Sequence, residues 1–228
     1  VCMSFLTAAA ALLGAGITLW GSYYLLVGLM SWRRPMEYGR HPASTRFAVL
    51  VPARNEELVV GSLINTLLMQ DYPPELYDIW VVPNQCTDHT ALAARRFGAH
   101  VLECTVPVKS KGEVLAHRGY DAVCVFDADN LADPQFLREM NNAYRAGARV
   151  AQGFRDSKNP YDSVVSGCYS IYYWMMDRLH NGGRAGLGLP AMINGTGFMV
   201  AASVLERMGG WRTETISEDL ELSVQCAL

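Results

Sequence analysis

The sequence predicts an α/β domain with a mainly parallel central sheet, preceded by one N-terminal transmembrane helix. Three observations carry this prediction. From residue 46 onward, apolar runs of strand length alternate with segments of helical spacing. Polar, turn-forming clusters follow the ends of several of those runs, where a parallel α/β sheet places its ligands. The first 32 residues carry no charge.

The uncharged start sets the organisation. "FLTAAAALLGAGITLWGSYYLLVGLM", Phe5 to Met30, exceeds the roughly 20 residues that cross a bilayer. Trp32 suits an interface, and Arg33 and Arg34 after it would stay cytoplasmic. A signal peptide fits less well, because the run is long, lacks a basic start and shows no convincing cleavage site. The expectation is a membrane helix over 3–32, a linker over 33–45, and a domain over 46–228. The protein is then single-pass in the cell membrane, with that domain cytoplasmic. The chain begins with Val1 rather than Met, so upstream residues are expected.

In order, the elements read as follows. "PMEYGRHPAST" (35–45) holds two prolines and a glycine and reads as linker. "RFAVLV" (46–51) is a first strand, and the helix after it carries Leu58, Leu63, Leu67 and Leu68 at helical spacing. "YDIWVV" (77–82) is a second strand, Asp88 opens a short helix to Phe97, and "HVLEC" (100–104) is a third strand. Lys111 to Tyr120 reads as helix and "AVCVF" (122–126) as a fourth strand. Asp133 with Pro134 after it starts a helix, and "ARVAQGF" (148–154) returns as strand. Tyr161 to His180 has helical spacing and is read mostly as core, though its aromatics could also hold an acceptor. "NGGRAGLGLP" (181–190) is expected as a flexible loop, "AMINGTGFMVA" (191–201) as a strand broken by glycines, and Ser217 as the cap of a last helix.

Composition excludes some functions. Half of the 228 residues are hydrophobic and the net charge is −3, which argues against disorder and against bulk electrostatic binding of nucleic acid. Three lysines and sixteen arginines are scattered without a basic run. The six cysteines form no CxxC pair and no zinc-like spacing with the five histidines, so a reducing compartment is expected and Cys124 reads as core.

The sharpest question is why "VCVFDADN" (123–130) ends an apolar strand in Asp127 and Asp129. Burying ionised carboxylates costs several kcal/mol unless a cation or hydrogen-bond donors meet them. Either the pair lies in an exposed turn or something positive binds there. The triplet alone decides nothing, since chance gives about two acid-x-acid triplets in such a chain. Asp219-Leu-Glu221 is the other one.

Taken together, "VPARNEE", the polar stretch after the second strand, "KSKGEVLAH", "VFDADN", "GFRDSKNP", "INGTGFMV" and "ISEDLEL" resemble, in order and approximate spacing, the inverting family 2 glycosyltransferases of GT-A fold. These are related to cellulose, chitin and hyaluronan synthases and to bacterial cell-envelope transferases. The resemblance covers about residues 46 to 225. It implies a hexosyltransferase using a nucleotide sugar and a divalent metal, Mg or Mn, with a glycan or lipid-linked acceptor at a membrane.

The resemblance also implies roles for particular residues. Asp129 would bind the metal, and Asp127 would lie near the ribose or the metal. Ala53, Arg54, Glu56 and Asn84 would line the nucleoside pocket, and Lys111 would approach the base or diphosphate. Asp219 would be the base that takes the acceptor proton, supported by Glu218. Simpler readings stand beside these. Asn55 could cap a helix with Glu56 and Glu57 in its first turn, and Ser217-Glu218-Asp219 is also an ordinary helix start. Gly195 and Gly197 could bring backbone close to a sugar or simply permit a bend, with Thr196 only a neighbour.

Two departures qualify the resemblance. The family usually has an acid where Asn84 stands, so a UDP-sugar is expected but the base is not fixed. The family's glutamine-x-x-arginine-tryptophan motif has no match before the chain stops at "SVQCAL", which reads as truncation. A sugar-phosphate nucleotidyltransferase is the alternative enzyme, although no glycine-rich, lysine-bearing loop follows the first strand. A non-catalytic nucleotide-binding membrane module is the alternative outside enzymes.

Overall fold

The computed structural model describes residues 2–32, 37–103, 119–190, 192–211 and 218–227. The expected helix from Lys111, the arginines at 33 and 34, and the Ser217 cap therefore lie outside the described residues. The chain forms two compact units, Val1–Glu37 with Arg155–Ala191, and Tyr38–Phe154 with Met192–Leu228.

The second unit is built on a six-stranded sheet. Its strands are β1 (Phe47–Ala53), β2 (Tyr77–Pro83), β3 (His100–Val101), β4 (Ala122–Val125), β5 (Val150–Gln152) and β6 (Phe198–Ala201). They lie in the order β3-β2-β1-β4-β6-β5. β1, β2, β3 and β4 pair parallel, while β6 runs antiparallel to both β4 and β5.

The apolar runs are continuous because both faces of the sheet are covered. On one face Phe47, Val49 and Val51 pack with helix α2 (Val60–Leu68) through Leu63, Ile64 and Leu67, and with Leu137 and Met140 of α4 (Phe136–Arg145). On the other, Ala48 and Leu50 join Val123, Val125, Phe198 and Leu205. Leu205 comes from α7 (Ala202–Arg207), and Leu222 of α8 (Glu218–Ala227) completes that cluster. Cys124 is fully buried in β4, as its run predicts, and desolvation pushes its thiol far above the ordinary range.

Some local expectations need correction. The buried face of α2 is Val60, Leu63, Ile64 and Leu67; Leu58 lies ahead of the helix and is exposed, as is Leu68. Helix α3 (Thr90–Arg96) begins after Asp88, whose carboxylate receives the Thr90 N–H and hydroxyl. Asp133 accepts from Gln135 N–H at 2.8 Å, two residues ahead of the cap residue Gln135 rather than as the cap itself. In the stretch read as linker, Thr45 is buried, and Asn141 of α4 accepts from its hydroxyl at 2.8 Å.

The first unit is helical. α1 (Cys2–Met30) contains a 26-residue segment, Phe5–Met30, long and apolar enough to cross a membrane and exposed over most of its length, with Val27 buried near its end. α5 (Val164–Trp174) continues through a π-helical stretch, Met175–Asn181, into α6 (Gly182–Gly186). The expected flexible loop over 181–190 is thus helical in its first half. Gly183 lies so close to the Val27 carbonyl that a Cβ would collide with it, so the glycines serve close packing on α1 rather than flexibility. The aromatic stripe is not core: Tyr169, Ile171, Tyr172, Trp174 and Met175 are all exposed.

Candidate functional site

The topology gathers the sequence-predicted residues of the second unit at one edge of its sheet. β1, β2 and β4 end there, and because β6 is antiparallel to β4, β6 begins there. Val125 is registered with Phe198, and Gly197 N–H donates to the Val125 carbonyl at 2.8 Å. The 193–197 segment therefore lies against the Asp127–Asn130 turn.

At the β1–β2 end, two loops are stitched together. Asn84 N–H donates to the Ala53 carbonyl at 2.8 Å, and the Cys86 thiol contacts the same oxygen. Asn55 accepts from Thr87 N–H at 2.8 Å, Glu56 N–H donates to the Thr90 hydroxyl at 2.8 Å, and Glu57 N–H donates to Asp88. The Thr90 hydroxyl, first among several donors, holds the Asp88 carboxyl below its ordinary pKa. Asn55 does not cap α2; it sits at φ 59° and uses its side chain to bind the neighbouring loop. Gln85 is also at positive φ, 50°. Ala53 is buried, Arg54 is exposed, and Glu56 and Asn84 are partly exposed beside them. Lys111 lies outside the described residues.

At the β4–β6 end, Thr196 is the joint. It is buried, accepts from Asp127 N–H at 3.0 Å and donates to Asn130 at 2.6 Å. Asn130 in turn donates to Asp129 at 2.9 Å and closes the turn on the Asp127 carbonyl. Gln152, ending β5, donates to the Thr196 carbonyl at 2.9 Å and accepts from Asn194 N–H at 2.8 Å.

Asp219, in the first turn of α8, reaches the same place. A Cβ on Gly195 would lie 2.6 Å from its Oδ2. A second tie holds α8 there, since Ser223 accepts from Ile193 N–H at 2.8 Å and donates to the Asp219 carbonyl at 2.7 Å. Glu218 opens the helix beside it; its side chain is outside the described set.

Asp127, Asp129 and Asp219 are thus joined through one hydrogen-bonded segment, 193–197. Sequence reading gave Thr196 only a neighbouring role and missed Gln152, Asn130 and Ser223, whose bonds here span 30 to 66 residues. No local pattern signals them.

Among the described residues, no group of three or more His, Cys, Asp or Glu side chains is placed to hold a metal ion. Asp127 and Asp129 are exposed at the strand end, and their oxygens are the hard donors that Mg or Mn takes. They suit a cation that draws further oxygen ligands from a bound diphosphate.

Known proteins resemble this chain in sequence and in fold. The chain is 28% identical over 200 residues to a probable glycosyltransferase of Bacillus subtilis, YdaM, covering 79% of this chain and 46% of that protein. It is 28% identical over 196 residues to a beta-monoglucosyldiacylglycerol synthase of Synechocystis, covering 79% of this chain and 40% of that protein. The chain thus spans less than half the length of these curated relatives. Among solved structures, the mannosyltransferase PcManGT of Pyrobaculum calidifontis, in complex with GDP-Man and Mn2+, shares the fold with a TM-score of 0.67 at 19% identity, covering 96% of this chain and 62% of that one. S. aureus TarS 1–349 in complex with UDP-GlcNAc gives 0.55 at 16% identity, covering 80% of this chain and 53% of that one. The family model described as glycosyltransferase like family 2 matches residues 42–228, and the chain belongs to that family.

Proposed function

We propose that this chain carries the catalytic domain of a membrane-anchored, inverting glycosyltransferase. It would move a hexose from a nucleoside diphosphate sugar, with UDP the expected nucleotide, to a hydroxyl of a lipid-linked or cell-envelope glycan acceptor. The observation that carries the reading is the contact of Asp219 with Gly195, in the segment that also holds the Asp127–Asn130 turn. A base held beside a donor-phosphate site is what a single displacement needs.

The stitched loops after β1 and β2 would take the nucleoside. Ala53, Arg54 and Glu56 line one side and Asn84 the other, where its amide can both donate to and accept from a base edge. Lys111 would approach the diphosphate. Asp129, with Asp127 beside it, would hold a divalent cation, which supplies positive charge for the leaving diphosphate. Asp219 would take the proton of the acceptor hydroxyl as its oxygen bonds to the anomeric carbon. The bond from that carbon to the diphosphate oxygen breaks on the opposite face, so configuration inverts. Glu218 supports the base from the same turn. The apolar α1 would keep the domain at the cytoplasmic membrane surface, where a nucleotide sugar and a lipid acceptor meet.

Calorimetric titration of UDP and GDP with Mn2+ or chelator, followed by a transfer assay, tests the assignment. Asp129→Asn is expected to lose the metal-dependent part of nucleotide binding. Asp219→Asn is expected to bind normally and lose transfer by about 10²- to 10⁴-fold. Unchanged transfer by Asp219→Asn would remove the base assignment.

A further inference from the structure

We propose that Asn130 is a positioning residue: its amide sets the Asp129 carboxylate for a cation before one arrives. The proposal rests on the assignment of Asp129 as metal ligand and deepens it. Asp129 is exposed in the turn that follows β4, where a side chain held by nothing would move among its rotamers. Asn130 Nδ2 instead donates to Asp129 Oδ1 at 2.9 Å. The turn itself does not need that amide, because it is closed through the backbone, from Asn130 N–H to the Asp127 carbonyl at 3.1 Å.

The direction of the amide is fixed from both ends. Thr196, itself buried, accepts from Asp127 N–H at 3.0 Å, and its one hydroxyl proton goes to Asn130 Oδ1 at 2.6 Å. With its oxygen so engaged, Asn130 turns its NH2 group to Asp129, whose ionised carboxylate can only accept. A flipped amide would set oxygen against oxygen. Three bonds thus run from the backbone just past β4, through Thr196 and Asn130, to the exposed carboxylate. Holding one oxygen of Asp129 narrows the orientations in which the other meets a cation. Because the Asn130 oxygen is spent on Thr196, the amide orients the ligand rather than joining it. Removing a partner of this kind weakens metal affinity by about 10- to 100-fold.

The test titrates UDP and GDP into the full chain by calorimetry, over a series of Mn2+ concentrations and in chelator. Asn130→Ala and Asn130→Leu both remove the amide, and leucine keeps its volume. Each is expected to raise the Mn2+ concentration that gives half-maximal nucleotide affinity by about 10- to 100-fold. Saturating Mn2+ should restore the affinity, and binding in chelator should match wild type. Asp129→Asn, which lacks the ligand itself, should not be restored. Melting curves without nucleotide check the fold, which Asn130, partly exposed, should not control. Wild-type behaviour of the leucine variant alone would assign the effect to packing and overturn the proposal. Equal weakening in chelator, or loss of the fold in both variants, would overturn it too. A wild-type Mn2+ response in both variants, with Asp129→Asn still defective, would overturn the role of Asn130 and leave Asp129 as ligand. Nucleotide binding that ignores Mn2+ in the wild type, or an Asp129→Asn variant that keeps the response, would overturn the Asp129 assignment and this proposal with it.

Discussion

At the β1–β2 end of the site, Asn55 and Gln85 hold φ of 59° and 50°; at the β4–β6 end, Gly195 and Gly197 occupy the same left-handed region at 78° and 63°. Polar bonds tie the first loop to the second: Asn55 accepts from Thr87 N–H, and the Glu56 and Glu57 N–H groups donate to the Thr90 and Asp88 side chains. Absence of a side chain permits the second pair, and it lets Asp219 lie against backbone. The β1–β2 end is thus held by polar bonds that an amide or hydroxyl of similar reach can replace. The β4–β6 end adds to its hydrogen bonds a close approach that one added carbon would block.

The largest expected effect follows from that contrast. Gly195→Ala puts a methyl 2.6 Å from the Asp219 carboxylate and also strains the backbone at φ 78°. Strain of this kind costs about 1–3 kcal/mol, and the displaced base should lower transfer by about 10²-fold or more, with nucleotide binding little changed. Titration and turnover measured on one preparation check this. Normal turnover would show that Asp219 does not act from the position seen here.

Thr196→Val ranks next. The valine keeps the volume but removes both the acceptor for Asp127 N–H and the donor to Asn130. A lost buried partner costs about 1–3 kcal/mol. The urea midpoint should fall and metal-dependent nucleotide binding should weaken, while Thr196→Ser restores both. A serine variant as weak as the valine would locate the effect in packing rather than in the hydroxyl.

The same contrast explains what could be read in the sequence. The parallel core was legible because runs such as "AVCV" are buried on both faces, and such a run needs no partner to be recognised. The polar ends of the strands were legible because an α/β sheet binds ligands there. The bonds of Thr196, Gln152 and Ser223 were not, since each depends on a chain reversal that brings β6 back beside β4. Asn55 looked like a helix cap because caps and left-handed loop residues draw on the same residue types. The glycines of 182–186 looked like a loop because sequence cannot show that Val27 stands against them. Periodicity found a face on α5 but could not say what covers it.

The smallest effect separates the two non-glycine residues at positive φ. Gln85→Gly should relieve left-handed strain of about 1–2 kcal/mol, against an entropic cost for glycine of about 0.5–1 kcal/mol. The net is a gain of about 0.5 kcal/mol. Asn55→Gly should go the other way, because asparagine tolerates this region and its side chain is engaged by Thr87 N–H; losing such a bond costs about 1 kcal/mol. Urea midpoints of the two variants, measured side by side, should therefore move in opposite directions. A shared loss would mean that Gln85 is held by its side chain, as Asn55 is, and that the β1–β2 end carries no releasable strain.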